Sequence, residues 1–271
     1  MGILFIGIPK LFYVIGDSHA FAYRELLFER QYVGKRQLVL MKSHFIPDLQ
    51  TSTFTHKDGT LRTRVNDVLL VEGLIDFDRE AARKALPGTP PPAAHVTTRG
   101  TESTILFHAG DIDVRTEFLQ KLPEDMDFEL ANVPAGIERL RGDFKFRSVL
   151  APNVPIEQAQ RLIRPLFVGL ATLKALGIGR LVVHNLPPPT TSESDFVSAN
   201  GFFRQPYIRY KAYLLFNRIF ESYCREAGIM FLNMWPYTTV NDILDQKYYL
   251  DGAHLNRDGV FLSARALLEA P

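Results

Sequence analysis

Two long stretches of helical period, each followed by a short apolar run, decide most of what this chain can fold into. From Ile156 to Leu176 the apolar residues Ile163, Leu166, Phe167, Leu170, Leu173 and Leu176 recur at three- and four-residue steps. That spacing gathers them on one stripe of a helix. Gly177-Ile178-Gly179 stops the pattern, Arg180–Leu186 is an apolar, β-prone run, and Pro187-Pro188-Pro189 closes it. A second helical stretch runs from Pro206 to Ala227 and is capped by Gly228, with the strand-like Ile229–Met234 behind it. Strands separated by long helices need crossover connections, and right-handed crossovers build a parallel sheet. Leu11–Ile15, Arg36–Met41 and Ser103–Ala109 read as further strands. The expected fold class is α/β, a three-layer α/β/α sandwich on a parallel sheet of about five strands.

The first strand carries the first chemical signal. Leu11–Ile15 is broken by Gly16-Asp17-Ser18, and Ala20–Arg30 reads as a helix with Phe21, Leu26 and Leu27 as buried positions. Ser18 then sits at the carboxyl end of a strand, where open α/β sheets bind ligands. Helix-start N–H groups gather there too and favour negative charge. Near the other end, Tyr249-Leu-Asp251-Gly-Ala-His254-Leu-Asn256 places an acid three residues before a histidine, ahead of a terminal helix over Arg257–Leu268. A serine hydroxyl needs a base within hydrogen-bond reach, and the base needs an orienter. Taken singly, Ser18 reads as a helix-start serine, Asp251 as a turn or cap, and His254 as a capping or surface histidine. Taken together they supply nucleophile, acid and base.

Gly-Asp-Ser-His after a strand and Asp-Gly-Ala-His-Leu-Asn before a final helix resemble the blocks of the SGNH (GDSL-type) hydrolase family. The resemblance implies a flavodoxin-like arrangement of the parallel sheet, with Ser18 as nucleophile, His254 as base and Asp251 as acid. The family's Gly-x-Asn-Asp block corresponds to Gly110-Asp111-Ile112-Asp113, so isoleucine stands where asparagine would supply an oxyanion donor. The N–H groups of Ser18 and Gly110 are then the expected donors. Some SGNH-like proteins carry a similar Gly-acid-Ile-Asp-x-Arg pattern, which makes Arg115 an anion-binding candidate or a partner of Asp113. Asn185 and His19 complete the candidate pocket residues, with His19 open to a packing role as well. The implied activity is that of a serine esterase or deacylase acting on an acyl ester of a small molecule or carbohydrate through an acyl-serine intermediate. An acyltransferase with the same triad, and a non-catalytic binding module that kept the fold, are the alternatives; Ile112 favours the last.

Bulk properties exclude other classes. A length of 271 residues suits one domain. A net charge of +1 gives no electrostatic case for nucleic acid or an anionic membrane. No apolar run approaches the roughly 20 residues of a membrane span. H-E-x-x-H, C-x-x-C and glycine-rich phosphate loops are missing from the sequence, so no metal and no cofactor is expected. His108 and His184 fall in core-strand patterns and read as satisfied buried histidines. Tyr207, Tyr210, Tyr213, Phe216 and Phe220 lie at helical spacing and read as core, with an edge that could stack a sugar. Cys224, the single cysteine, precludes an intrachain disulfide and reads as a buried thiol. Met1–Lys10 is apolar without a basic leader, which reads as mature, cytoplasmic protein. Thr51–Val65 around Asp58-Gly59 reads as a hairpin insertion. Val68–Ile75 is a short strand or the core side of a helix. Glu80–Leu86 reads as helix, Pro87–Ala94 as loop, and Pro123–Ala151 as irregular with some helix.

Overall fold

The computed structural model describes residues 9–24, 26–32, 35–77, 94–251 and 253–269. Its central sheet has six strands: β1 (Lys10–Gly16), β2 (Leu27–Tyr32), β3 (Lys35–Phe45), β4 (Thr104–His108), β5 (Arg180–His184) and β6 (Met230–Leu232), in the order β6-β5-β4-β1-β3-β2. From β6 to β3 every neighbour is parallel, and β2 is antiparallel on β3. The α/β class and the parallel sheet are as expected, with an antiparallel edge strand added.

Alternation along β1 sends its side chains into two separate cores. Tyr13 and Ile15 join Phe107 and Val183 on one face, packed against α3 (Asn153–Ala175) and α5 (Pro206–Ala227). Phe12 and Val14 join Leu106 and Val182 on the other face, against α6 (Arg257–Glu269). Shorter helices include α1 (Ser18–Phe21), α2 (Thr63–Val71) and α4 (Glu193–Asn200). Both faces of the central strands are covered, which is why they read as continuous apolar runs. Tyr207, Tyr210, Tyr213, Phe216 and Phe220 of α5 are all buried, so the sequence's suggestion of a sugar-stacking edge on them does not hold. Cys224 is buried among them.

The helix expected over Ala20–Arg30 is not formed. α1 ends at Phe21, and β2 follows in antiparallel register with β3, Leu27 opposite Leu40. Leu26 and Phe28 are buried while Leu27 is exposed, a two-residue period that a helix reading of the three apolar residues overlooks. Around Asp58-Gly59 the chain turns and closes one antiparallel bridge, Thr55 to Leu61, with Gly59 at φ 84°. The flanks do not extend into strands: Thr51–Thr53 is a turn of 3-10 helix and α2 starts at Thr63. Val68–Ile75 divides between the end of α2 and a strand, Ile75–Phe77, paired with Ala94–Val96. Pro123–Ala151 holds a helix, Ala135–Arg139, and a parallel pair, Met126–Phe128 with Ser148–Leu150. The stretches expected over Glu80–Leu86 and Pro87–Ala93, and the first eight residues, lie outside the described residues. Among those described, no helix is long and apolar enough to cross a membrane.

Candidate active site

β1 ends where only glycine fits. A Cβ on Gly16 would lie 2.2 Å from the His108 carbonyl oxygen of the neighbouring strand. The next amide, from Asp17, donates to that same oxygen at 3.2 Å. Asp17 is buried and caps α1, its carboxylate accepting from the His19 N–H at 3.0 Å. Ser18 is therefore the first residue of a helix at the carboxyl edge of the sheet.

The loop before α6 delivers the partners. It is pinned at both ends, with Tyr249 bridged to Leu255 and the Asn256 N–H bonded to the Tyr248 carbonyl at 2.8 Å. Asn256 Oδ1 accepts from the N–H groups of Asp258 and Gly259, which starts the helix. Within the loop, Asp251 Oδ1 accepts from the N–H groups of Ala253 and His254, both at 2.8 Å. Burial alone would raise this carboxyl's pKa; those two N–H groups and the His254 ring outweigh it and hold the group below the usual aspartate value. His254 Nδ1 lies 2.9 and 3.0 Å from the two Asp251 oxygens, and His254 Nε2 lies 2.8 Å from Ser18 Oγ. A carboxylate at Nδ1 keeps the proton there and turns the Nε2 lone pair to the serine hydroxyl. Such a line can withdraw a proton from Ser18 and return it to a leaving group.

The remaining residues named from sequence divide. His19 lies beside the line, bonded at Nδ1 to Asp17 Oδ1 (2.9 Å) and at Nε2 to the Ala253 carbonyl (3.0 Å). Burial depresses its pKa, but the Asp17 charge and hydrogen bond, Asp111 and the Ala253 carbonyl raise it to about 9. Gly110 follows β4 in a left-handed conformation at φ 116°, where a Cβ would meet the Phe220 ring. Asp113 is buried and committed to a neighbouring segment. Both its oxygens are taken by Thr51 and Ser52, through Thr51 N–H (2.6 Å), Thr51 Oγ1 (2.9 Å), Ser52 N–H (3.3 Å) and Ser52 Oγ (2.5 Å). Arg115 pairs with Asp111 instead of Asp113, Nε to Oδ2 at 2.6 Å, and donates to Asn200 Oδ1 at 2.7 Å. Asn185 is a fastener inside the fold: its Oδ1 accepts from the Met234 N–H and its Nδ2 donates to the Leu186 carbonyl.

Sequence reasoning passed over Asp111, which is fully buried and also accepts from the Tyr213 hydroxyl. The acid-to-arginine spacing of four was a readable signal. It also took His108 and His184 for satisfied core residues. His184 Nδ1 bonds the Asn185 carbonyl, but His184 Nε2 and His108 Nδ1 are buried without a partner. The two rings continue a row of contacting imidazoles, His254 to His19 to His108 to His184, with centroids 4.6, 4.7 and 4.4 Å apart; His19 and His108 are stacked and the outer pairs are tilted. Asp17, His19 and His108 together present three ligand atoms within 4.8 Å of one another, as a metal centre would need. The Asp17 bond keeps a proton on His19 Nδ1, so a cation there would have to displace it. A cleft of about 480 Å³ opens beside His254, lined by Arg115, Asp195, Ser198 and Tyr249 among others.

No family model matches the sequence, and no curated protein matches it. Solved structures do. A GDSL-like lipase from Bacteroides thetaiotaomicron is 14% identical, over 96% of this chain and 88% of that one, with a TM-score of 0.44. A carbohydrate acetylesterase from Sinorhizobium meliloti is 12% identical over 96% and 97%, TM-score 0.44. A member of the lipolytic G-D-S-L family from Veillonella parvula is 13% identical over 96% and 97%, TM-score 0.42. The chain is similar to these hydrolases along nearly its whole length. At such identities its chemistry has to come from its own residues.

Proposed function

We propose that the protein is a serine ester hydrolase that removes an acyl group from a small polar alcohol or sugar. The observation that carries this reading is the 2.8 Å approach of His254 Nε2 to Ser18 Oγ, with Asp251 bonded behind the ring. His254 takes the hydroxyl proton as Ser18 Oγ attacks the acyl carbonyl carbon, and Asp251 stabilises the imidazolium that forms. The tetrahedral oxyanion is met by the N–H groups of Ser18, at the start of α1, and of Gly110, beside it at the sheet edge. Its collapse passes the proton from His254 to the leaving alcohol and leaves an acyl-serine. Water, activated by the same histidine, then releases the acid.

The cleft's polar lining of Arg115, Asp195, Ser198 and Tyr249 suits a hydroxyl-rich alcohol portion. Asp195 is itself braced by the Tyr249 hydroxyl at 2.5 Å. The experiment is covalent labelling with a fluorophosphonate, together with turnover of p-nitrophenyl acetate and acetylated sugars. Wild type should label and turn over, and Ser18→Ala should do neither. A wild type that neither labels nor turns over any ester would leave the fold as a binding module.

A further inference from the structure

We propose that His19 is the positioning residue of this site, its ring tying the turn that carries Ser18 to the loop that carries His254. The inference rests on the esterase reading for its kinetic consequence and on geometry for the tie itself. The ring spans two segments that meet only through tertiary structure: Nδ1 bonds Asp17, adjacent to the nucleophile, and Nε2 bonds the carbonyl of Ala253, adjacent to the base. Both acceptors lack a proton to give, so both ring nitrogens must donate and the ring is an imidazolium. It is almost completely buried, stacks on the His108 ring with centroids 4.7 Å apart, and meets the His254 ring at 4.6 Å with the planes tilted by 42°. His19 thus fixes the His254 main chain through Ala253 and its side chain through ring contact.

The charged and titratable groups facing it come from every neighbouring element. Asp17 lies in the β1–α1 turn. His108 and Asp111 come from the end of β4 and the segment after it, His184 from β5 and His254 from the last loop. Asp111 is committed to Arg115 and Tyr213, and His108 and His184 are held neutral by burial. Asp17 is left as the counterion of His19. Loss of the proton at high pH removes one of the two bonds, and the base then loses its fixed distance to Ser18.

The test compares wild type with His19→Phe, which keeps the stacked ring and removes both donors, and with Asp17→Asn, which removes the counterion. His19→Phe should lower kcat about 10- to 100-fold with KM changed less than about threefold, the scale expected when a reacting group drifts by an ångström. Wild-type kcat should fall as pH rises through about 9, and in Asp17→Asn that fall should move at least about one pH unit lower. Amide hydrogen exchange across residues 249–256 should be about tenfold faster in His19→Phe, with β4 amides unaffected. An unchanged kcat in His19→Phe overturns the assignment, as does unchanged exchange. If His19→Phe does not fold, the Asp17→Asn profile decides, and a fall at the wild-type pH overturns it. If wild type turns over no ester, the esterase reading fails separately and the exchange comparison alone decides the tie.

Discussion

Asp111 holds Arg115 from one turn away, Oδ2 to Nε at 2.6 Å, while the Tyr213 hydroxyl donates to its other oxygen. Asp111 is fully buried, yet its pKa stays below the ordinary aspartate value. Burial would raise it, and the guanidinium, aided by His19 and Tyr213, more than offsets that. Arg115→Ala should therefore strand a buried carboxylate and destabilise the fold by about 3 kcal/mol in urea unfolding. A loss below about 1 kcal/mol would show that Asp111 does not depend on it. KM should rise as well, because the same guanidinium lines the cleft.

Stability should weaken on the alkaline side. The folded pKa of His19 is about 9 against 6.5 for the free side chain. A raised pKa means that the folded state binds the proton more tightly. Its contribution is complete below about pH 6.5 and disappears as pH rises through 9, on the order of 3 kcal/mol in all. Urea midpoints compared at pH 6.5 and 9.5 should show the drop, and in Asp17→Asn it should largely vanish.

On the acid side the signs reverse. Burial, partly countered by the Asn185 carbonyl, lowers His184 to about 4, and burial with the neighbouring histidines puts His108 well below its ordinary value. Both rings are neutral in the fold and charge in the unfolded chain near 6.5. Their contribution is complete above that pH and is lost as pH falls through the folded values. Thermal melts should thus peak between about pH 6 and 7, and the acid slope should flatten in His184→Phe.

Gly16→Ala puts a methyl group 2.2 Å from a backbone oxygen that cannot move without displacing β4. A cost of about 2 kcal/mol or more is expected. Because Asp17 and Ser18 follow directly, fluorophosphonate labelling at Ser18 should slow by more than the fraction unfolded explains.

Asp251→Asn replaces one of the two acceptor oxygens at His254 Nδ1 by an NH₂ donor and removes the charge, so the tautomer is no longer fixed. Turnover should fall by about 10²–10⁴-fold with the fold intact, as judged by circular dichroism. A fall of less than about tenfold would mean that the exposed loop holds the ring by other means.

What the sequence disclosed and what it hid have different physical origins. The runs at Leu11–Ile15 and Arg180–Leu186 and the helices α3 and α5 were legible because burial on both faces, or on one stripe, writes a local period. Ser18, Asp251 and His254 were legible because turn chemistry surrounds them: a glycine that must be glycine before one, an Asx turn within the other two. β2 was misread because Leu26-Leu27-Phe28 is too short for its two-residue period to compete with a helix start. Asp111 took the pairing with Arg115 that was expected of Asp113. The partners that decide between them, Tyr213 for one and Thr51 with Ser52 for the other, lie far away in sequence. Asn185 looked like a pocket residue for the same reason, its Met234 partner being on the next strand's loop.

The bond between Ser18 and His254 spans 236 positions of chain. Closing so long a loop carries a large entropic cost that local helices never meet, so contacts of this kind form late. The serine of a partly refolded molecule has no neighbour to take its proton, even when α3 and α5 are complete. On the proposed function, Ser18 reactivity becomes a clock for the end of folding. In a refolding experiment, labelling competence should lag behind the recovery of helix signal, and the interval between them measures how long the two distant segments take to meet.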